Sequence, residues 1–182
     1  MALRSDTVSL GRGLGHGQTS LDRVVFEYPD WVDVIALTAD YKIVLVEQFR
    51  HPVRQLRTEF PAGAVEDGET PLGAIQRELR EETGFVARHW RLLGSVPVNP
   101  AWQDNRIHSF LALDARRETA QALDEGEMIG VRELAFDRFV ADVESGDIEL
   151  PALQLGGLLL LAIHVKRAAD GRLLALKERG VP

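Results

Sequence analysis

A chain of 182 residues, 45% hydrophobic and 27% charged, is the right size for one domain around a sizeable core, here 1–182. Its 21 basic and 28 acidic residues leave a net charge of −7, which argues against a nucleic-acid surface. The absence of cysteine excludes disulfides, zinc–thiolate centres and cysteine nucleophiles.

The first residues lack the apolar core of a signal peptide, so the protein is expected in the cytoplasm. Residues 1–20 carry Gly11, Gly13, Gly15 and Gly17 with three serines and read as a flexible arm. They do not form a phosphate loop, because no GxxxxGK[ST] pattern is present. Strands are expected at 23–28, 32–38 and 42–49, the last two joined as a hairpin through Ala39, Asp40 and Tyr41. Further strands are expected near 57–60, 91–98, 106–113 and 128–133, and helices at 71–83, 136–144 and 150–168. The apolar run 155–165 is about half a membrane span and ends at Lys166 and Arg167, so it reads as a buried C-terminal helix. No repeat and no linker divides the chain.

The most informative stretch is 63–85. Thr70 and Pro71 form a good N-cap and first-turn pair, and Gly84 falls where a helix should stop. Between them Glu78, Glu81 and Glu82 are three and four residues apart, so their carboxylates share one helix face. Unpaired, they repel one another; a hard divalent cation with phosphate oxygens among its ligands relieves the repulsion. The competing reading is a solvated acidic face with Arg77 and Arg80 as partners.

Gly63, Glu69, Arg77, Glu78, Glu81, Glu82, Gly84 and Phe85 fill every specified position of the pattern G(x5)E(x7)REUxEExGU, with U apolar. The segment therefore resembles the signature of the Nudix hydrolases. That resemblance implies an α+β Nudix fold, a mixed β-sheet sandwiched between helices, with an N-terminal strand arm over residues 1–35. It implies hydrolysis of a nucleoside diphosphate linked to another group, with Mg²⁺ as cofactor and Mn²⁺ as a substitute. By the same resemblance Glu78 and Glu82 are the chief metal ligands and Glu81 is a further ligand or water activator. Arg77 is then an orienting partner, and Glu69 supports the loop.

Upstream, Arg50, Pro52, Glu59, Pro61 and Gly63 lie in a segment similar to that of ADP-ribose and nucleotide-sugar pyrophosphatases. The similarity implies that Arg50 contacts substrate, that the Ala62 carbonyl binds metal, and that Glu59 lies near the site, with Arg54 adding a phosphate contact. Downstream, Pro100 stands sixteen residues after Gly84 and resembles the marker of the ADP-ribose pyrophosphatase group. Residues 123–131 resemble an acidic loop that closes on the site in that group, with Glu127 as a metal ligand and Glu125 as a candidate base, a role Glu81 shares. Trp31 is a candidate for stacking on a base, with a core tryptophan as the competing reading. His51 beside Arg50 is assigned no role, and the five histidines show no metal-ligand spacing.

The resulting expectation is a Mg²⁺-dependent enzyme for ADP-ribose or a related nucleoside diphosphate sugar such as GDP-mannose. It has no nucleic-acid or membrane partner, and the resemblance implies a homodimer with exchanged N-terminal strands. The alternatives are dinucleoside polyphosphates or modified nucleoside triphosphates as substrates, and a nucleotide sensor without turnover.

Overall fold

The computed structural model describes residues 1–10, 19–168, 173, 175 and 176. Strands β1 (Ala2–Leu10) and β2 (Thr19–Glu27) pair antiparallel as a separate two-stranded sheet. This corrects the reading of residues 1–20 as a flexible arm. Cross-strand pairs support the ladder: the Thr7 hydroxyl donates to Asp22 at 2.8 Å, and Arg4 pairs with Glu27. The glycine-rich stretch 11–17 of that expectation lies outside the described residues.

The main sheet has eight strands: β3 (Trp31–Thr38), β4 (Lys42–Arg50), β5 (Gln55–Glu59), β6 (Ala62–Ala64), β7 (Phe85–Val86), β8 (His89–Pro97), β9 (Arg106–Arg117) and β10 (Ile129–Ala135). Its spine runs β10-β4-β3-β9-β7, with β5 on β4, β6 on β3 and β8 on β9. Only the central pair β3 and β9 is parallel, so the sheet is mixed. β9 outruns the expected end at 113 because Leu37 pairs with Leu113 but Thr38 with Ala115. The extra residue, Asp114 at φ 56°, makes a bulge that lets the strand continue.

Helices α1 (Pro71–Thr83), α2 (Phe136–Ser145) and α3 (Ala152–Arg167) complete the layers. Along β3 the side chains alternate between the two faces. Val32, Val34 and Ala36 pack with Ala74, Ile75 and Leu79 of α1, whereas Ile35 and Leu37 pack with Phe136 and Phe139 of α2 and Leu161 and Val165 of α3. The fold is thus α+β with the sheet between helices, as the resemblance implied. Among the described residues no helix is long and apolar enough to cross a membrane.

Two local devices place α1. The Thr70 hydroxyl accepts from the Gly73 N–H at 3.1 Å and fixes where the helix begins. At the other end Gly84 has φ 76°, and a Cβ there would stand 2.2 Å from the Thr119 carbonyl oxygen, so only glycine closes the helix against that loop.

Candidate active site

On α1 the expected face forms: Glu78, Glu81 and Glu82, joined by Glu127 of the 123–128 loop, line one hollow of about 260 Å³ with the backbone of Ala62–Ala64. Gly63 lets the strand and helix meet this closely, because a Cβ there would lie 2.1 Å from the Glu78 carboxyl carbon. Arg77 ties the edge together. Its guanidinium donates to Glu69 at 3.1 and 3.2 Å, to the Ala64 carbonyl at 3.1 Å, to Glu78 at 2.8 Å and to Glu81 at 3.1 Å. Chiefly through Glu69, these acceptors hold the Arg77 pKa well above its usual value.

Glu82 is 7% exposed, and its Oε2 accepts from the Ala62 N–H at 3.0 Å. Burial, reinforced by Glu78 and Glu127, outweighs that bond and pushes its carboxyl up to about 8. Glu78 is raised in the same way, with burial first and Arg77 opposing it. Every donor in the hollow is an oxygen, and Arg77 alone does not relieve the excess of negative charge. This donor set suits a hard divalent cation. Among the described residues no three acidic or imidazole side chains are already gathered as a cation cage. A cation has to compete with Arg77 for Glu78 and Glu81.

The hollow opens into a cleft of about 450 Å³ that shares Ala62–Ala64, Glu82 and Glu127 with it. Trp31, Asp33, Arg50, Glu59 and Gln154 stand along its walls. Arg50 donates twice to Glu59, Nη2 to Oε2 at 2.7 Å and Nε to Oε1 at 3.1 Å. Glu59 is 5% exposed; that bond is the main reason the Arg50 pKa is raised. A larger hollow, about 550 Å³, lies beside Arg80 and Trp90, but it takes only Arg77 and Glu81 from the acidic face and is set aside as the reacting centre.

Of the residues singled out in the sequence, the fold gathers Trp31, Arg50, Glu59, Ala62, Arg77, Glu78, Glu81, Glu82 and Glu127 around these two connected hollows. Arg54, Pro100 and Glu125 line neither. Arg54 is exposed in the turn between β4 and β5 at φ 54°, and Pro100 is exposed in the turn after β8. Glu125 is exposed beside Gly126 at φ 91°; Glu127, also exposed, lines both hollows and accepts from the Asp124 N–H at 3.2 Å. Sequence reasoning missed Asp33 and Gln154. The Gln154 amide donates to the Phe60 carbonyl at 3.1 Å and accepts from its N–H at 2.8 Å, clamping the backbone just before Ala62. Asp33 is 1% exposed, and burial pushes its carboxyl up to about 7. Each had a signal: Asp33 is the one polar residue of 32–37, and Gln154 the one polar side chain of 151–163.

Comparison with known proteins places this geometry. The NUDIX domain model matches residues 27–153. A methanol dehydrogenase activator of Bacillus methanolicus is 41% identical over 125 residues, 68% of this chain and 67% of that one. An ADP-ribose pyrophosphatase of Bacillus subtilis is 36% identical over 140 residues, 74% of this chain and 73% of that one. The solved structure of an ADP compounds hydrolase superposes with a TM-score of 0.70 over 90% of this chain and 92% of that one; at 20% identity the likeness is one of fold.

Proposed function

The chain belongs to the NUDIX domain family, and on that ground we propose that this hydrolase cleaves the pyrophosphate bond of a nucleoside diphosphate sugar, with ADP-ribose as the first candidate. The products are a nucleoside monophosphate and a sugar phosphate. One observation carries the reading: an acidic, oxygen-only hollow opens directly into a cleft walled by Arg50 and Trp31. The first suits the pyrophosphate with its counter-ions and the second an organic group attached to it.

In this reading Glu78, Glu82, Glu127 and the Ala62 carbonyl hold the cation. Bound there, Mg²⁺, or Mn²⁺ in its place, offsets the charge gathering on the phosphate oxygens and makes water more acidic. Arg50, held by Glu59, meets a phosphate or sugar oxygen of the substrate. Arg77 keeps Glu78 and Glu81 from splaying into solvent. Glu81 takes the proton from the attacking water; its place in the hollow favours it over Glu125. Trp31 offers an aromatic face at the cleft wall for a base.

The second copy of a homodimer, placed through exchanged strands of residues 1–35, would bring residues of the Arg50 region, Arg54 among them, to this cleft from the partner. Sedimentation showing only monomer at working concentration would overturn that arrangement. The direct test of function is incubation with Mg²⁺ and ADP-ribose, GDP-mannose, UDP-glucose, diadenosine polyphosphates and oxidised dGTP, with products identified by mass. AMP with ribose 5-phosphate is the expected result. Turnover of polyphosphates alone would redirect the substrate class, and binding without turnover would make the protein a sensor.

A further inference from the structure

We propose that Gln121 is a positioning residue for the cation site, its one amide group tying the backbone of Glu82 to the root of the loop that carries Glu127; the inference rests on the reading above, in which both glutamates hold the cation. Gln121 follows the end of β9 and lines neither of the two connected hollows.

The last carbonyls of α1 have no partner within the helix. The segment after β9 supplies donors for them. The Ala122 N–H donates to the Glu81 carbonyl at 2.9 Å, and the Glu118 and Thr119 N–H groups donate to the Gly84 carbonyl at 2.9 and 3.2 Å. The Glu82 carbonyl is met by a side chain, the Gln121 Nε2 at 2.6 Å. A backbone N–H has one hydrogen to give, whereas a primary amide has two. The second goes to the Ile129 carbonyl at 3.0 Å. Ile129 is buried and opens β10, paired there with Gln48 of β4. Both acceptors are carbonyls, so only the NH2 end of the amide fits between them.

This bond pair closes the neck of the loop. Within it the Glu127 N–H donates to the Asp124 carbonyl at 3.0 Å and the Asp124 N–H to the Glu127 carboxylate at 3.2 Å, so the loop is a turn standing on Gln121 and Ile129. Glu127 is two residues from the second foot. Helix geometry fixes the spacing of Glu78 and Glu82, but it cannot fix that of Glu82 and Glu127, which come from different elements. The amide does so by holding the backbone of one to the loop root of the other. Ligands held in place before a cation arrives bind it more tightly, because less order has to be imposed on binding.

The test is Mn²⁺ binding to the free protein, read from the electron paramagnetic resonance of unbound Mn²⁺, in the wild type and in Gln121→Met, which keeps the length and removes both donors. The dissociation constant should rise about tenfold or more. Amide hydrogen exchange over 123–128 in the cation-free variant should quicken severalfold. An unchanged Mn²⁺ dissociation constant with a lowered melting temperature would make the amide a helix cap alone, and unchanged exchange over 123–128 would mean that other groups hold the loop; either overturns the proposal. Should Gln121→Met fail to fold, Gln121→Asn, whose amide is drawn back from both carbonyls by one methylene, carries the same test. A wild type that binds Mn²⁺ no more tightly than a variant carrying both Glu78→Gln and Glu82→Gln would overturn the cation reading itself, and this inference with it, before any Gln121 variant is compared.

Discussion

The acidic hollow on α1 and the cleft it opens into solve opposite electrostatic problems. In the hollow, six acidic residues (Glu66, Glu78, Glu81, Glu82, Asp124 and Glu127) line the wall with Arg77 as the cation tied into its edge, and burial raises Glu82 and Glu78. In the cleft, Arg50 and Glu59 are matched one to one, and the pair is a wall of fixed shape. An unbalanced site binds charge strongly but with little discrimination, whereas a balanced, partly dry site discriminates by shape and hydrogen bonding. In the proposed reading, the protein thus separates the part that reacts from the part that selects.

Four measurements would break or sharpen that division. The largest effect belongs to Glu82→Gln, which should lower kcat by about a thousandfold through loss of a cation ligand. Its melting temperature should hold or rise, since a buried charge is removed while an acceptor for the Ala62 N–H remains. A variant with near-normal kcat would end the assignment.

The second is the pH dependence of the cation requirement. Protons compete for Glu82, whose folded carboxyl is pushed up to about 8, so the half-saturating Mg²⁺ concentration should rise as pH falls below that value, approaching about tenfold per unit if one proton is displaced. Linkage sets the sign for stability. A raised carboxyl pKa means that the folded state binds more protons than the unfolded state across that window. Cation-free protein should therefore lose stability as pH rises from about 5 to 8, with Asp33, pushed up to about 7, adding in the same direction. Denaturant titrations at several pH values read this directly, and a stability that rises over the window would contradict the burial of both groups.

The third is Arg50→Gln, which should raise KM by about tenfold to a hundredfold with a smaller change in kcat. It leaves Glu59 buried with its partner weakened, at a cost of about 1–2 kcal/mol, lowered from the fully buried case because Arg50 is half exposed. A change in kcat alone would move Arg50 out of the selecting part. The smallest is Glu125→Gln, expected to change kcat by no more than about threefold while Glu127→Gln costs at least tenfold more. The reverse order would mean that the 123–128 loop turns over during reaction and brings Glu125 inward.

The two parts were also unequally readable from the amino-acid order. The acidic hollow is local: Arg77, Glu78, Glu81 and Glu82 follow one another on α1, so helix geometry alone aligns them, and Thr70 and Gly84 mark its ends. The bounds of α1 agree with the expected 71–83 for that reason. The cleft is assembled from β3, β4, β5 and the start of α3, and no period in the sequence connects Asp33 with Ser109 or Phe60 with Gln154. Strands of two or three residues such as β6 and β7 are too short to show alternation. The resemblance implied the N-terminal strands, but the residues alone did not show β1, because four closely spaced glycines dominated the reading of a segment whose pairing is made with residues 19–27.

The parallel pairing of β3 with β9 has a consequence in time. Trp31 meets Ile107 across that ladder, and Phe60 is clamped by Gln154 from far along the chain. Contacts this distant in sequence are closed late, because the intervening loop must be ordered before they repay it. During synthesis the strands that carry Trp31, Arg50 and Glu59, and the acidic helix after them, are complete before Ile107, Glu127 and Gln154 have left the ribosome. The nascent chain therefore carries one wall of the cleft and the face of α1 for a period without Glu127 and Gln154, and in the proposed reading the site is complete only once α3 docks.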